Sequence, residues 1–476
     1  MRLNFVLPVF FAVCTTTVSA QPFTLADTLR GTITPERAWW DLNFYDLNVT
    51  PNLTEQTIEG TNTIHFTALK PGIVLQVDLA SSMNIYSAKI RNKVVMLRKK
   101  GDVWYLTLPK LIRKGEKAAV TITYGGKPIK AKRAPWDGGV VWAKDKLNRP
   151  WVNTACQELG ASSWWPTKDH QYDEADSMRF TVNVPDTLMN VSNGRLRSVK
   201  KTGNGIAAYE WFIANKINNY NVAMNIGKYV HFGDTFMGEN GKLTLDYYVL
   251  DYNLEKAKKQ FEQVKPMLRA FEYWFGPYPF YSDGYKLVES EHLGMEHQSA
   301  VAYGNHYKNG YRGTDLSGSG WGLKWDFIII HETGHEWFGN NITTKDVADM
   351  WVHESFTNYS ETLFTGYYWG EPAADEYNRG TRKNIRNDKP IIGPYNVNQS
   401  GSGDMYPKGG NMLHTIRKII GNDALFRSIL RGLNKTYWHQ TVTTKEIEDY
   451  VSQKSGIDFS KTFDQYLRST KIPELR

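Results

Sequence analysis

The 476-residue sequence predicts an α+β protein, with a β-sheet domain over the first half and a mainly helical domain over the second. Three observations carry that reading. The length exceeds what one ordinary core spans, so more than one domain is expected. From about residue 39 to 229, short alternating or apolar runs are separated by Gly, Asn and Lys turns, the pattern of half-buried strands. From Asn253 onward the apolar residues recur at helical spacing instead.

Taken in order, the N-terminus carries Arg2, an apolar run over 5–14 too short to span a bilayer, and Val18-Ser19-Ala20 before Gln21-Pro22. This pattern predicts a cleavable signal peptide over 1–20 and an exported protein, periplasmic or secreted. No later stretch is long and apolar enough for a membrane helix, so no stable membrane insertion is expected after cleavage. The cysteines are Cys14, in the leader, and Cys156, so the remaining chain cannot close an internal disulfide. Strands are predicted around 63–66, 73–77, 103–106 and 119–124. Leu254, Ala257, Phe261, Val264, Met267, Leu268 and Phe271 then mark a helical face. The Gly-rich stretch 313–322 reads as a loop, and Thr443 with Glu446, ahead of Ile447, Tyr450 and Val451, as a capping box. The division between domains is placed near Asn240. The formal charge of +8 comes from Lys and Arg scattered among Asp and Glu, never in a long basic block, so no nucleic-acid partner is expected.

The stretch 328–341, IIIHETGHEWFGNN, brings His331, Glu332 and His335 together. On a helix, residues four apart are separated by about 40° around the axis and about 6 Å along it, so both imidazoles leave one face. Two neutral imidazoles so placed make two corners of a tetrahedral zinc site. Glu332, about 100° round, stands off the pair yet within reach of a water on the metal. A helix with two hydrogen-bonded histidines is the plainer reading of the motif alone. A catalytic zinc needs a third protein ligand and an open position. Eighteen residues lie between His335 and Glu354 of DMWVHESF, where Trp351, Phe356 and Tyr359 allow a second, antiparallel helix. The Glu354 carboxylate would complete a His, His, Glu shell. Glu361, about 20° from Glu354 around that helix, is placed to accept a hydrogen bond from a ligand histidine, and Asp349 competes for that role.

HETGHEWFGN followed at this spacing by WVHES resembles the gluzincin pattern of the aminopeptidase N and leukotriene hydrolase family of zinc metallopeptidases. Gly294-Met295-Glu296-His297, within HLGMEHQSAV, resembles that family's GxMEN exopeptidase motif, and Tyr406-Pro407-Lys408-Gly409 resembles its YxKG motif. Thr154-Ala155-Cys156-Gln157, with Trp165-Pro166 and Asp169, resembles its glutamine segment near the end of the N-terminal domain. The order and spacing agree over nearly all of the chain after the leader. The resemblance implies a saddle-like β-sheet sandwich over 21–240, packed on a thermolysin-like catalytic domain over 241–476 with a small sheet above and helices below. One zinc ion per chain would lie in the cleft between them, and MEHQSA would form an edge strand exposing backbone groups to an extended peptide.

The activity implied is hydrolysis of the N-terminal peptide bond by metal-activated water, with His331, His335 and Glu354 holding zinc. Glu332 would take the proton from water and hand it to the leaving amine, while Tyr406 would donate its phenol to the oxyanion. Glu296, in the motif with Gly294 and Met295, would hold the substrate's free α-ammonium, helped by the amide oxygen of Gln157. Each of these has a structural alternative: Glu296 paired with an arginine, Gln157 a bonded core amide, Tyr406 one more packed tyrosine. A thermolysin-like endopeptidase remains the alternative function and would not need Glu296. A non-catalytic descendant would have lost a ligand or the base, and none is missing. The expected partners are peptides with a free N-terminus. Two departures stand out. Leu293 and His297 replace the motif's first glycine and its asparagine, the latter putting a titratable ring beside the amine site. The sequence also stops at Arg476, just past the catalytic domain of the family, which implies a more open cleft tolerant of longer peptides.

Overall fold

The computed structural model describes residues 23–157 and 159–471, so the expected leader over 1–20 lies outside the described residues. The spine of the first half is the strand Trp40–Asn52, which pairs antiparallel with Thr57–Ala68 on one side and parallel with Ser177–Pro185 on the other. It is one member of an eight-stranded sheet. Period-2 alternation sets the inner face: in Ile206–Ile213 every second residue, Ala207, Tyr209, Trp211 and Ile213, is buried. The expected strands fall within Thr57–Ala68, Gly72–Asp78, Val103–Ile112 and Lys117–Gly126. Trp40, Tyr45, Leu75, Val152, Trp164, Trp165 and Trp211 join the inner faces of three sheets in one core, which accounts for much of the aromatic load. Cys156 is buried there as a free thiol.

The second half is a five-stranded sheet against helices. Its order is Tyr229–Gly238, Gly241–Leu250, Tyr285–Glu289, Val301–Tyr303, Gly294–Met295. The first two strands form a hairpin whose tip is Asn240. The hairpin spans the division expected at Asn240, and both of its strands belong to this sheet. The helical face expected from Leu254 onward is present but broken into Leu254–Gln260, a tight turn over Phe261–Gln263, and Val264–Phe275. Pro266 supplies the reason, having no N–H to donate to the Glu262 carbonyl one turn back. The expected capping box opens the helix Thr444–Ser455, and 313–322 is a loop but for the short turn that begins at Trp321. No helix of the described residues is long and apolar enough to cross a membrane.

The edge of this sheet is shorter than expected. Only Gly294–Met295 of the LGMEHQSA region pairs as a strand, and the chain turns at Ser299, whose φ is +55°. Glu336 draws it out of the ladder by accepting the Ser299 N–H at 2.8 Å.

Candidate metal centre

The helix Phe327–Gly334 starts at Asp326, whose carboxylate accepts the Ile328 and Ile329 N–H groups. It is shorter than the motif suggests, since His335 lies one residue past its end. With φ −63° and ψ −20°, His335 nonetheless keeps a helical backbone and stays on the face of His331, their ring centroids 5.2 Å apart. Gly334 lets this end press on the helix Trp351–Trp369, where a Cβ would meet the Ser360 hydroxyl at 2.7 Å. That contact brings Glu354 opposite the histidines. Its Oε2 lies 3.3 Å from His335 Nε2 and 3.7 Å from His331 Nε2.

The other ring nitrogens are already engaged. His331 Nδ1 lies 2.7 Å from Glu361 Oε1, and His335 Nδ1 lies 3.0 Å from the Phe338 carbonyl oxygen. Both partners only accept, so each Nδ1 carries a proton and each Nε2 can present its lone pair. Glu361 is fixed in turn by the Tyr377 phenol at 2.6 Å and the Asn358 amide at 3.2 Å. Asp349 does not share this role, contrary to the sequence expectation. Its carboxylate accepts from Tyr395 and Thr444 instead, because it precedes the helix and faces the C-terminal segments.

Glu354 Oε2 is buried with no hydrogen-bond donor among the described residues. A carboxylate oxygen left so is costly unless a cation meets it. His331, His335 and Glu354 offer ligand atoms within 4.8 Å of one another. Two imidazole nitrogens and one carboxylate oxygen fit zinc by chemistry and number.

Glu332 stands beside the cluster, and burial pushes its carboxyl up to about 7 against the pull of the His331 and His335 rings. Gly294 makes room for it: a Cβ there would come within 2.7 Å of Glu332 Oε1. Met295 continues the edge strand, and Glu296 follows with its carboxylate near Glu332 and His335. The Asn340 amide holds the Glu296 carbonyl at 2.8 Å. Glu296 has no arginine partner among the described residues. The Gln157 amide nitrogen donates instead, to Glu296 Oε1 at 2.5 Å and to Glu354 Oε1 at 3.1 Å, which leaves the amide oxygen out of these bonds. His297 is not the titratable ring the sequence suggested. It is fully buried against His292, and burial holds its imidazole down at about 3, so it is neutral.

Tyr406 comes from a different segment, its ring 6.0 Å from that of His331. Pro407 opens the helix Pro407–Ile420 just behind it. Gly409 packs that helix onto the Glu354 helix, where a Cβ would fall 1.9 Å from Ser355 Oγ, and Ser355 donates to the Met405 carbonyl at 2.7 Å. Gly409→Ala is therefore expected to cost about 1–3 kcal/mol of stability by overpacking. It should also lower kcat by displacing Tyr406 while the protein keeps its metal. Thermal unfolding, steady-state rates and metal analysis check this, and an unchanged Tm and kcat would show that the contact is not tight.

Gln157, Glu296, His331, Glu332, His335, Glu354, Glu361 and Tyr406 line one cavity of about 860 Å³ between the two halves, to which Trp136, Leu159, Tyr311, Asn384 and Arg386 also contribute. None of those five carries a motif, and Asn340, although inside the quoted stretch, showed no sign of its reach to Glu296. A separate cavity of about 810 Å³, lined by Tyr273, Arg427 and Trp438, contains none of the site residues.

Residues 252–466 match the Peptidase family M1 domain and residues 42–220 the Peptidase M1 N-terminal domain. The chain belongs to peptidase family M1. A leucyl aminopeptidase of Saccharolobus solfataricus is 22% identical over 340 residues, covering 68% of this chain and 42% of its own length. A leukotriene A-4 hydrolase of Xenopus laevis is 22% identical over 379 residues, covering 74% of this chain and 57% of its own. The chain thus spans about half the length of these curated relatives. Among solved structures, a variant of a two-domain M1 zinc metallopeptidase bound to L-tryptophan superposes with a TM-score of 0.79 at 20% identity, over 92% of this chain and 96% of that one. An M1 zinc metallopeptidase variant from Deinococcus radiodurans bound to a Tyr-Ser-Ala substrate gives 0.76 at the same identity and coverage. These likenesses establish the M1 fold: a β-rich N-terminal domain followed by the catalytic domain.

Proposed function

We propose that this M1 chain is a zinc aminopeptidase that hydrolyses the N-terminal bond of peptides. The observation that carries the reading is the buried Glu296 carboxylate, fixed by Gln157 beside Glu332 and the ligand set. A peptide's α-ammonium compensates such an anion, whereas a blocked or internal segment leaves it unpaired. His331, His335 and Glu354 would hold zinc, which would supply a Lewis acid for the scissile carbonyl and for the attacking water.

The chain's own groups do the rest. Glu332 takes the proton of the attacking water and delivers it to the leaving amine. Tyr406 donates its O–H to the oxygen that gains charge as the carbonyl carbon becomes tetrahedral, a contact worth about 3 kcal/mol in the transition state. Burial, with the Glu354 and Glu296 carboxylates, raises that phenol well above its ordinary value and keeps it a donor. Gly294 and Met295, at the open sheet edge, offer backbone groups to an extended peptide.

Aminoacyl fluorogenic amides, assayed with and without a chelator, test the reading. Cleavage that the chelator abolishes is expected, with the N-acetylated amides resistant. Glu296→Ala should lower kcat/KM by about 10–100-fold, the worth of one charge-assisted contact to the ammonium. Acetylated amides cut as fast as free ones would favour the endopeptidase alternative. We further place the enzyme in an exported compartment, on the strength of the leader-like run over 1–20. Cell fractionation that recovers it only from the cytoplasm would reject this.

A further inference from the structure

Glu296 stands where the sheet no longer holds it. The edge strand pairs only at Gly294 with Tyr303 and at Met295 with Ala302, so the ladder ends one residue before the carboxylate. Two side chains take over. Gln157 grips the carboxylate itself. Asn340 grips the backbone: its amide nitrogen donates to the Glu296 carbonyl at 2.8 Å, while its own N–H donates to the His335 carbonyl at 2.9 Å. One residue therefore ties the amine-binding glutamate to a metal ligand. Gly339, with φ +130°, carries the backbone turn between His335 and Asn340.

Asn340 is held in its turn. Its amide oxygen accepts the Asn221 side-chain N–H at 2.8 Å, and the Asn221 amide oxygen accepts the Gln298 N–H at 3.4 Å. Asn193 closes the group, donating to the carbonyls of Asn221 at 2.9 Å and of Gln298 at 2.7 Å. All of these side chains are buried, where an amide without a partner is costly, so each bond keeps the others in place.

We infer that Asn340 is a positioning residue for the amine subsite, fixing the Glu296 backbone at a set distance from His335. The inference rests on the aminopeptidase reading, in which the α-ammonium meets Glu296 and the scissile carbonyl meets the metal. Only two bonds of about 1.5 Å each separate the ammonium nitrogen from the carbonyl carbon. A span that short cannot adjust to a subsite that slides, so the distance between glutamate and ligand set must be built into the protein. Asn340, bonded to both, builds it in.

The test measures affinity by titration calorimetry on the zinc-loaded protein. Leucine hydroxamate is compared with isocaproyl hydroxamate, which has the same metal-binding group and side chain but no amine. Wild type is expected to bind the first about 10–100-fold more tightly, the worth of a contact to a charged group. Asn340→Ala should cut that ratio about fivefold, the worth of one hydrogen bond, with the Kd of the amine-free ligand and zinc per chain unchanged. General damage to the fold or the metal site would weaken both ligands alike. Asn221→Ala keeps the Asn340 donor and removes only its anchor, so it should cut the ratio about twofold. Added to Asn340→Ala it should change nothing further, because the two act through one bond. Asn221→Ala decides the matter if Asn340→Ala does not fold. An unchanged ratio in the variants, or an equal loss on both ligands, would overturn the assignment of Asn340 and leave the aminopeptidase reading standing. Wild type binding the two hydroxamates alike would remove that reading and this assignment with it.

Discussion

Glu332→Gln is expected to lower kcat by about 10²–10⁴-fold, the usual worth of a positioned general base, while zinc content stays at that of the wild type. The side chain lies within the Glu296, Glu332 and His335 cluster and is walled by Gly294, so the isosteric amide fits the same space. What it loses is the ability to accept a proton from water and return it to the amine. The amide leaves His331 and His335 in place on their own partners, Glu361 and Phe338, so the ligand set persists. Steady-state kinetics on an aminoacyl amide, paired with elemental analysis of the same preparation, separates the two effects. A variant with full zinc and a rate within tenfold of wild type would remove Glu332 from the mechanism.

Glu354→Ala should act one step earlier, by removing the metal itself. The histidine pair would keep two nitrogens and no anionic oxygen, and a two-ligand site binds zinc far more weakly than a three-ligand one. The substitution also takes an acceptor from Gln157, whose amide nitrogen bridges Glu354 and Glu296, so the amine subsite loosens as well. Zinc per chain is expected to drop well below one after dialysis, and activity to fall to background. Added zinc should no longer raise Tm, because a ligand stabilises only the form that binds it. Glu354→Gln keeps the shape and one neutral oxygen and should lie between the two. An alanine variant that retained one zinc per chain through dialysis would show that the ligand set is wrongly drawn.

How much of this was legible in the sequence depends on the range of the interaction. His331, Glu332 and His335 are local: helical spacing alone puts them on adjoining faces, and the backbone at His335 stays helical even though the helix ends before it. Glu361 was legible for the same reason, since its angle to Glu354 is a property of one helix. Asp349 looked equivalent by proximity, but it lies outside that helix and is bound by Thr444 and Tyr395, far away in sequence. The hairpin around Asn240 was not legible in the sequence, because strand pairing, not composition, decides which sheet a strand joins. The glycines show the same limit. Gly294, Gly334 and Gly409 stand within recognisable motifs, yet the neighbours they admit, Glu332, Ser360 and Ser355, become apparent only when elements pack.

The sequence by itself determined the α+β order, the family resemblance, the candidate ligands and base, and the lack of a second cysteine after the predicted leader. These depend on residue type and on spacing along a single helix or strand. Tertiary structure alone decided that Gln157 bridges two carboxylates, that His297 is buried and neutral, and that Asn340 ties Glu296 to His335. Such relations join segments far apart in sequence, or fold a turn back on a helix end, and follow from how apolar faces and close glycine contacts stack the elements.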